Sequence, residues 1–330
     1  MKRQQEFAEI RQERIQKGQQ APAVMICSIT NRCNLNCTGC YALGQHRENK
    51  LEIPAERFSR LFGEASEMGT GVIILAGGEP LLRKDLLEYA TQHKDIIFPV
   101  FTNGLLMDSD QIRFFKEHKN LIPILSIEGN KNRTDEIRGE GVYASVATTA
   151  EVLRRNKQFY GISITLTRDN FEEVTDRDYI NQYHKQGCRL FFFTEYVPIN
   201  ENEITKCLSK EQKERLSHIR EQLREELPGL YIMMPGDEKN YGGCLAGGRG
   251  FVHISASGDV EPCPFAPYSD INIMSTDLEE ALESSFLSRI RMNHELLKES
   301  EGGCVLWENS EWVEAILNRE IEETQRELSA

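Results

Sequence analysis

Six short runs of β-branched, aliphatic and aromatic residues, alternating with longer segments of helical periodicity, constrain the fold of this 330-residue chain more than any other feature. The runs are Val24–Ser28, Gly71–Leu75, Phe98–Thr102, Ile122–Ile127, Gly161–Thr167 and Arg189–Val197. Helical spacing falls between them at Pro54–Met68, Lys84–His93, Ser109–His118, Tyr143–Asn156 and Glu172–Gln186. Near-continuous apolar stretches such as Val72-Ile73-Ile74-Leu75 and Leu190-Phe191-Phe192-Phe193 leave no polar face for solvent, the pattern of parallel strands buried on both sides. Six units are too few for a closed eight-unit barrel, which takes about 250 residues. The reading is an α/β fold built on a partial (β/α)6 TIM-like barrel, with an open doubly wound sheet as the alternative.

After Pro198 the pattern changes. Ser209–Leu227 reads as a charged amphipathic helix ended by Pro228-Gly229, and Leu230–Met234 as a short strand. Phe251–Ile254 and Val260–Glu261 flank Ser255–Asp259 as a hairpin, and Glu311–Leu328 reads as an acidic terminal helix. The expected division is an N-terminal extension (1–20), the barrel core (21–200), a helical linker (201–240), a small C-terminal α+β domain (241–308) and the acidic helix (309–330). With 39 basic against 52 acidic side chains the net charge is −13, which opposes binding to nucleic-acid phosphates or anionic lipid. No signal peptide is evident at the N-terminus, and no segment approaches the roughly 18 consecutive apolar residues of a membrane helix. The chain therefore reads as soluble and cytoplasmic, where cysteines stay reduced and serve metals or catalysis more often than disulfides.

There are nine cysteines. Cys33, Cys37 and Cys40 lie within eight residues, directly after the first strand candidate. Soft thiolates converging on one loop select zinc, Cu(I) or an iron–sulfur cluster. A structural zinc asks for four protein ligands, whereas a cubane held by three leaves one iron open; a zinc knuckle or buried thiols are the simpler alternatives. A second group, Cys244, Cys263 and Cys304, is spread over the C-terminal region. Cys27 and Cys188 read as small core hydrophobes, and Cys207, in a polar linker, as a free exposed thiol. No HExxH, P-loop or nucleophile-elbow pattern is present.

The spacing Cys33-x3-Cys37-x2-Cys40 after a first strand, with the order of βα units, resembles the radical S-adenosylmethionine superfamily. Gly77-Gly78-Glu79-Pro80 after the second strand is similar to that family's GGEP motif. Asn103 in Thr102-Asn103-Gly104, Ser126 and Glu128 in Ser126-Ile127-Glu128-Gly129, and Arg138 before Gly139 fall at matching positions. The family commonly has an aromatic just before the third cysteine; here that position is Gly39, with Tyr41 following Cys40. The resemblance implies a [4Fe–4S] cluster on Cys33, Cys37 and Cys40 that chelates S-adenosylmethionine. It also implies that Gly77, Gly78, Glu79, Pro80, Asn103, Ser126, Glu128 and Arg138 contact that cofactor. The C-terminal segment, from Gly242-Gly243-Cys244 through Pro262-Cys263-Pro264 to Gly302-Gly303-Cys304, resembles the SPASM and shorter Twitch domains. That implies a second [4Fe–4S] cluster on Cys244, Cys263 and Cys304, its fourth ligand being Cys207, a non-cysteine side chain, water or substrate. Relatives act on peptides, protein side chains, haem precursors or sugars, and draw electrons from partners such as ferredoxin or flavodoxin. The rival classes are an iron–sulfur electron carrier and a zinc-stabilised peptide-binding scaffold.

Overall fold

Seven parallel strands lie side by side in chain order: β1 (Val24–Thr30), β2 (Val72–Gly77), β3 (Phe98–Thr102), β4 (Leu121–Ile127), β5 (Gly161–Leu166), β6 (Leu190–Glu195) and β7 (Leu230–Met234). A doubly wound sheet reverses its strand order at a switch point. From β1 to β7 the order never reverses, and the sheet curls into a half-barrel. The computed structural model describes residues 2–44, 51–198, 200–234, 241–298 and 304–328. Alternate residues of each strand serve two cores, as the two-residue period requires. Met25, Cys27, Ile29, Leu125, Phe191 and Phe193 pack beneath the helices. Val24, Ile26, Ile74, Ile124, Leu190 and Phe192 form the concave lining.

Local chemistry accounts for the helix boundaries. Pro54 stands directly before Ala55–Glu67. Asp108 caps Ser109–Glu117 by accepting from Gln111 N, and Ser209 with Gln212 forms a capping box at the start of Lys210–Glu226. The helix expected over Glu172–Gln186 is instead two, Phe171–Val174 and Arg177–Lys185. The Asp176 side chain accepts from Asp178 N and Tyr179 N and so starts a second helix where periodicity alone runs through.

The structure extends the sheet beyond six strands. Leu230–Met234, expected in a linker, is β7 and pairs in parallel with β6 after the crossover through Lys210–Glu226. At the opposite edge β8 (Phe251–Ile254) pairs in parallel with β1, and β9 (Val260–Glu261) pairs antiparallel with β8. The hairpin of the C-terminal region thus continues the barrel sheet, and Val252, Ile254 and Val260 share one core with Met25 and Cys27.

The N-terminal extension is a helix, Lys2–Gln16, whose polar composition hides its one anchor. Phe7 is fully buried, Gln4 Nε2 donates to Gly71 O (3.2 Å), and Arg11 Nη1 donates to Gly69 O. Gly69 has φ +86°, and a Cβ there would stand 2.7 Å from Phe7 O. Phe7→Ala is expected to lower unfolding free energy by about 3–5 kcal/mol, the cost of an emptied aromatic site. Urea titration checks this, and a loss under about 1 kcal/mol would mean that the helix is not part of the folded unit.

Candidate active site

The C-terminal end of β1 runs into the cysteine loop, and neighbouring strand ends hold that loop in place. Thr30 Oγ1 (2.7 Å) and Asn31 N (2.8 Å) donate to Glu52 Oε1. Arg83 Nη1 donates both to Glu52 Oε2 (3.3 Å) and to Ile29 O (3.0 Å). From β2, Gly78 N donates to Thr30 O (2.7 Å) and Glu79 N to Arg32 O (2.8 Å). These contacts explain the paired glycines. Gly77 has φ +116°, and a Cβ on Gly77 or Gly78 would overlap the backbone oxygen of Thr30 or Arg32. On the other side Thr38 N donates to Ile137 O (2.9 Å), tying the loop to the helix Lys131–Arg138.

Cys33 is exposed and Cys37 and Cys40 are half-buried. Burial raises the Cys33 and Cys37 thiols above their usual range; Cys40 adds to the rise at both and Cys33 to that at Cys37, where Arg138 opposes it. Leu35 N donates to Cys33 Sγ at 3.4 Å. Among the described residues no three His, Cys, Asp or Glu side chains converge on a point suited to a single metal ion. Mutually repelling thiols with N–H donors and a neighbouring guanidinium fit a polynuclear cluster, whose ligands stand around a core and must be thiolates.

Glu79 is almost wholly buried, and burial raises its pKa against three donors: Leu81 N (3.0 Å), Thr102 Oγ1 (2.7 Å) and Asn103 N (2.8 Å). Its carboxylate thus binds the end of β2 to the end of β3 and keeps little acceptor capacity for another group. Pro80 opens the buried 3₁₀ turn Pro80–Leu82. Asn103 Nδ2 donates to Asn34 Oδ1 (2.7 Å), inside the cysteine loop. Ser126 lies on the concave face of β4, beside Ser163 of β5. Glu128 is buried and accepts from Arg138 Nε (2.9 Å) and Nη2. Burial raises the Glu128 pKa and Arg138 opposes it; burial works against the Arg138 charge, but Glu128 and then Cys37 hold its pKa above the usual value. The pair sets a fixed cation beside the cysteine loop.

The second group also assembles. The Cys263 thiol is pushed well up by burial and then by Cys304 and Cys244, so the three sulfurs are within electrostatic reach. The Phe265 N–H opposes the rise at Cys263, and burial raises the Cys304 thiol against the N–H groups of Trp307 and Leu306. Arg249 fixes the first segment of this site, donating from Nη1 to Cys244 O (2.7 Å) and from Nη2 to Tyr241 O (2.8 Å). This donor set again suits thiolates. Gly302 and Gly303 lie outside the described residues. Cys207, expected exposed, is buried, with its sulfur 3.8 Å from Tyr196 O, because the 3₁₀ turn Glu201–Lys206 folds it against the end of β6. Cys27 and Cys188 are core residues as expected, Cys188 being pushed up to about 12 by burial.

Three features left no sequence signal. Glu52 and Arg83 carry no motif by themselves, yet they hold the backbone before Cys33. Gly39 has φ +75°, and its open side is filled by the Tyr196 ring, with a Cβ falling 3.4 Å from Tyr196 Oη. His253, fully buried on β8, bridges Ser28 Oγ (2.8 Å) and Glu261 Oε2 (2.7 Å), joining β1 to β9 through side chains.

The chain is similar to known proteins in sequence and in fold. Residues 27–180 match the family model described as the Radical SAM superfamily. The AdoMet-dependent heme synthase of Methanosarcina barkeri (strain Fusaro / DSM 804) is 26% identical over 313 residues, covering 86% of this chain and 88% of the relative. The antilisterial bacteriocin subtilosin biosynthesis protein AlbA of Bacillus subtilis (strain 168) is 24% identical, covering 79% of this chain and 60% of its own length. Crystal structures of Streptococcus suis SuiB bound to precursor peptide SuiA and to S-adenosylmethionine share the fold, with TM-scores of 0.69 and 0.70 at 20% identity. They cover 89% of this chain and 74% and 75% of theirs. Among the described residues no helix is long and apolar enough to cross a membrane.

Proposed function

We propose that this chain, whose residues 27–180 match the Radical SAM superfamily model, is a radical SAM enzyme, that Cys33, Cys37 and Cys40 hold its catalytic [4Fe–4S] cluster and that its substrate is a peptide. The observation that carries the assignment is the gathering of the cysteine loop, Gly77–Glu79, Asn103 and the Glu128–Arg138 pair at one rim of the barrel. Parallel barrels build their active sites at that rim. When bound, the reduced cluster supplies the electron that cleaves the sulfonium of S-adenosylmethionine to methionine and a 5′-deoxyadenosyl radical, which abstracts hydrogen from the substrate.

The chain's own part is positional. Glu52 and Arg83 hold the backbone ahead of Cys33. Glu79 locks the β2 end to the β3 end, which leaves the Gly77-Gly78 backbone and one remaining carboxylate lone pair to meet the amino group of S-adenosylmethionine. Arg138, charged and held by Glu128, is the group suited to the methionyl carboxylate. Asn103 and Ser126 complete the cofactor-facing set. Cys244, Cys263 and Cys304 are assigned to a second [4Fe–4S] cluster, and the electron donor to a ferredoxin or flavodoxin. Likeness to AlbA and to SuiB with its bound precursor peptide supports a peptide substrate. Similarity to a heme synthase over most of both chains favours a second reading, a tetrapyrrole.

The test is anaerobic reconstitution followed by reduction with dithionite in the presence of S-adenosylmethionine. Roughly eight irons per chain and formation of 5′-deoxyadenosine are expected. Zinc in place of iron, or iron without 5′-deoxyadenosine, would sink the assignment. Cys263→Ala is expected to remove about half the iron while leaving substrate-independent cleavage measurable, read by iron assay and mass spectrometry. Loss of all the iron would show that the two sites are not separate.

A further inference from the structure

We propose that the cavity between the two cysteine groups receives the cationic side chain of a lysine or arginine residue on a peptide substrate; this rests on the assignment of both groups to clusters. The cavity has a volume of about 270 Å³. One wall carries Tyr41, which directly follows Cys40, and Val197, just beyond β6. The lining also includes Phe265 and Tyr268, after Cys263, and Trp307, after Cys304. Tyr41 and Phe265 meet edge to face across the junction, with ring centroids 5.1 Å apart. A group seated there lies between the two sites.

Size and charge select the occupant. The volume stands at the lower end of the roughly 300–1,000 Å³ of ligand pockets and accommodates a single long side chain. Among the described lining residues four side chains are aromatic, and Glu314 brings the only carboxylate. Tyr268 Oη donates to Glu314 Oε1 (2.9 Å), which fixes the carboxylate at the mouth; burial and then that carboxylate push the Tyr268 hydroxyl up to about 12, so it remains a neutral donor. No lysine, arginine or histidine is among the lining residues. An incoming carboxylate would lose hydration beside Glu314 without meeting a cation, whereas an ammonium or guanidinium gains both the carboxylate and aromatic walls. The net charge of −13 acts in the same direction at long range by drawing basic peptides toward the protein.

The experiment uses the full reconstituted chain and fluorescence anisotropy of dye-labelled Gly-Gly-X-Gly-Gly amides, with X as lysine, arginine, acetyl-lysine or glutamate. Lysine and arginine peptides are expected to bind about ten-fold more tightly than the acetyl-lysine and glutamate forms, with the preference shrinking as salt rises. Glu314→Gln should reduce the ratio to within about two-fold, while Trp307→Ala should weaken every basic peptide. Equal or tighter binding of the glutamate peptide, displacement of the lysine peptide by Fe-coproporphyrin III at lower concentration than by lysine peptide itself, an unchanged ratio in Glu314→Gln, or no saturable binding would each overturn the proposal. Formation of 5′-deoxyadenosine without peptide is measured on the same wild-type preparation. If it forms and the lysine preference is absent, only this inference fails; if it does not form, the catalytic assignment fails.

Discussion

Replacing Cys33, Cys37 and Cys40 together with alanine is expected to abolish 5′-deoxyadenosine formation, down to the background of cluster-free protein, and to leave about half the iron in place. The three thiols are the only sulfur donors of their loop, and no neighbouring side chain has the softness to substitute for them. The fold should survive, because the sulfurs lie on an exposed to half-buried loop held by backbone contacts to Glu52, Gly78 and Ile137 that alanine leaves intact. Circular dichroism, iron content and product analysis on one preparation separate the possibilities. Cleavage persisting in the triple variant would remove the catalytic assignment from this loop. Loss of all iron together with loss of helicity would mean instead that the first site is needed for folding.

Arg138→Met should produce a large loss of stability. It leaves the buried Glu128 carboxylate without its cation, and breaking a buried pair from one side costs about 3–5 kcal/mol. The pH dependence has a defined sign. Burial already raises the folded-state pKa of Glu128, and the Arg138 charge opposes that rise more strongly than any other neighbour. Without Arg138 the folded pKa moves further above the unfolded carboxyl value of about 4.3. A group raised on folding contributes stability at pH below its unfolded pKa and loses it as pH rises through the folded pKa. The gap between wild type and Arg138→Met should therefore be smallest near about pH 5 and widen toward about pH 8. Urea midpoints at the two values check it; a gap that narrows with rising pH would show that Glu128 is not the group left exposed to the loss. Arg138→Lys, which keeps the charge but not the two-nitrogen contact, should recover part of the stability.

Much of the site was legible because its chemistry sits in short contiguous stretches. The three cysteines, the paired glycines and the Asn103-Gly104 turn each follow a strand that the apolar pattern marks, so their meeting at one rim follows from parallel strand direction. The role of Glu79 was not legible. A motif names the residue but not how many donors it already satisfies, and here three donors, two of them from the next strand end, use most of its capacity. Glu52, Arg83 and His253 were missed for a related reason. Each acts through at least one partner more than twenty residues away, and a single acidic, basic or imidazole side chain has no local pattern.

By itself the sequence determined the parallel sheet, most helix boundaries and the two cysteine groups. Buried strands need apolar residues on both faces, caps need particular side chains at particular positions, and metal chemistry needs thiols in number. Only the tertiary structure decided that Leu230–Met234 and the hairpin belong to the barrel sheet, because edge pairing depends on which backbone groups a curled sheet leaves open. It alone buried Cys207, and it alone drew Tyr41, Phe265, Trp307 and Glu314 around one cavity. Those residues come from three distant parts of the chain, and their charge and size become a selection rule only when folding makes them neighbours.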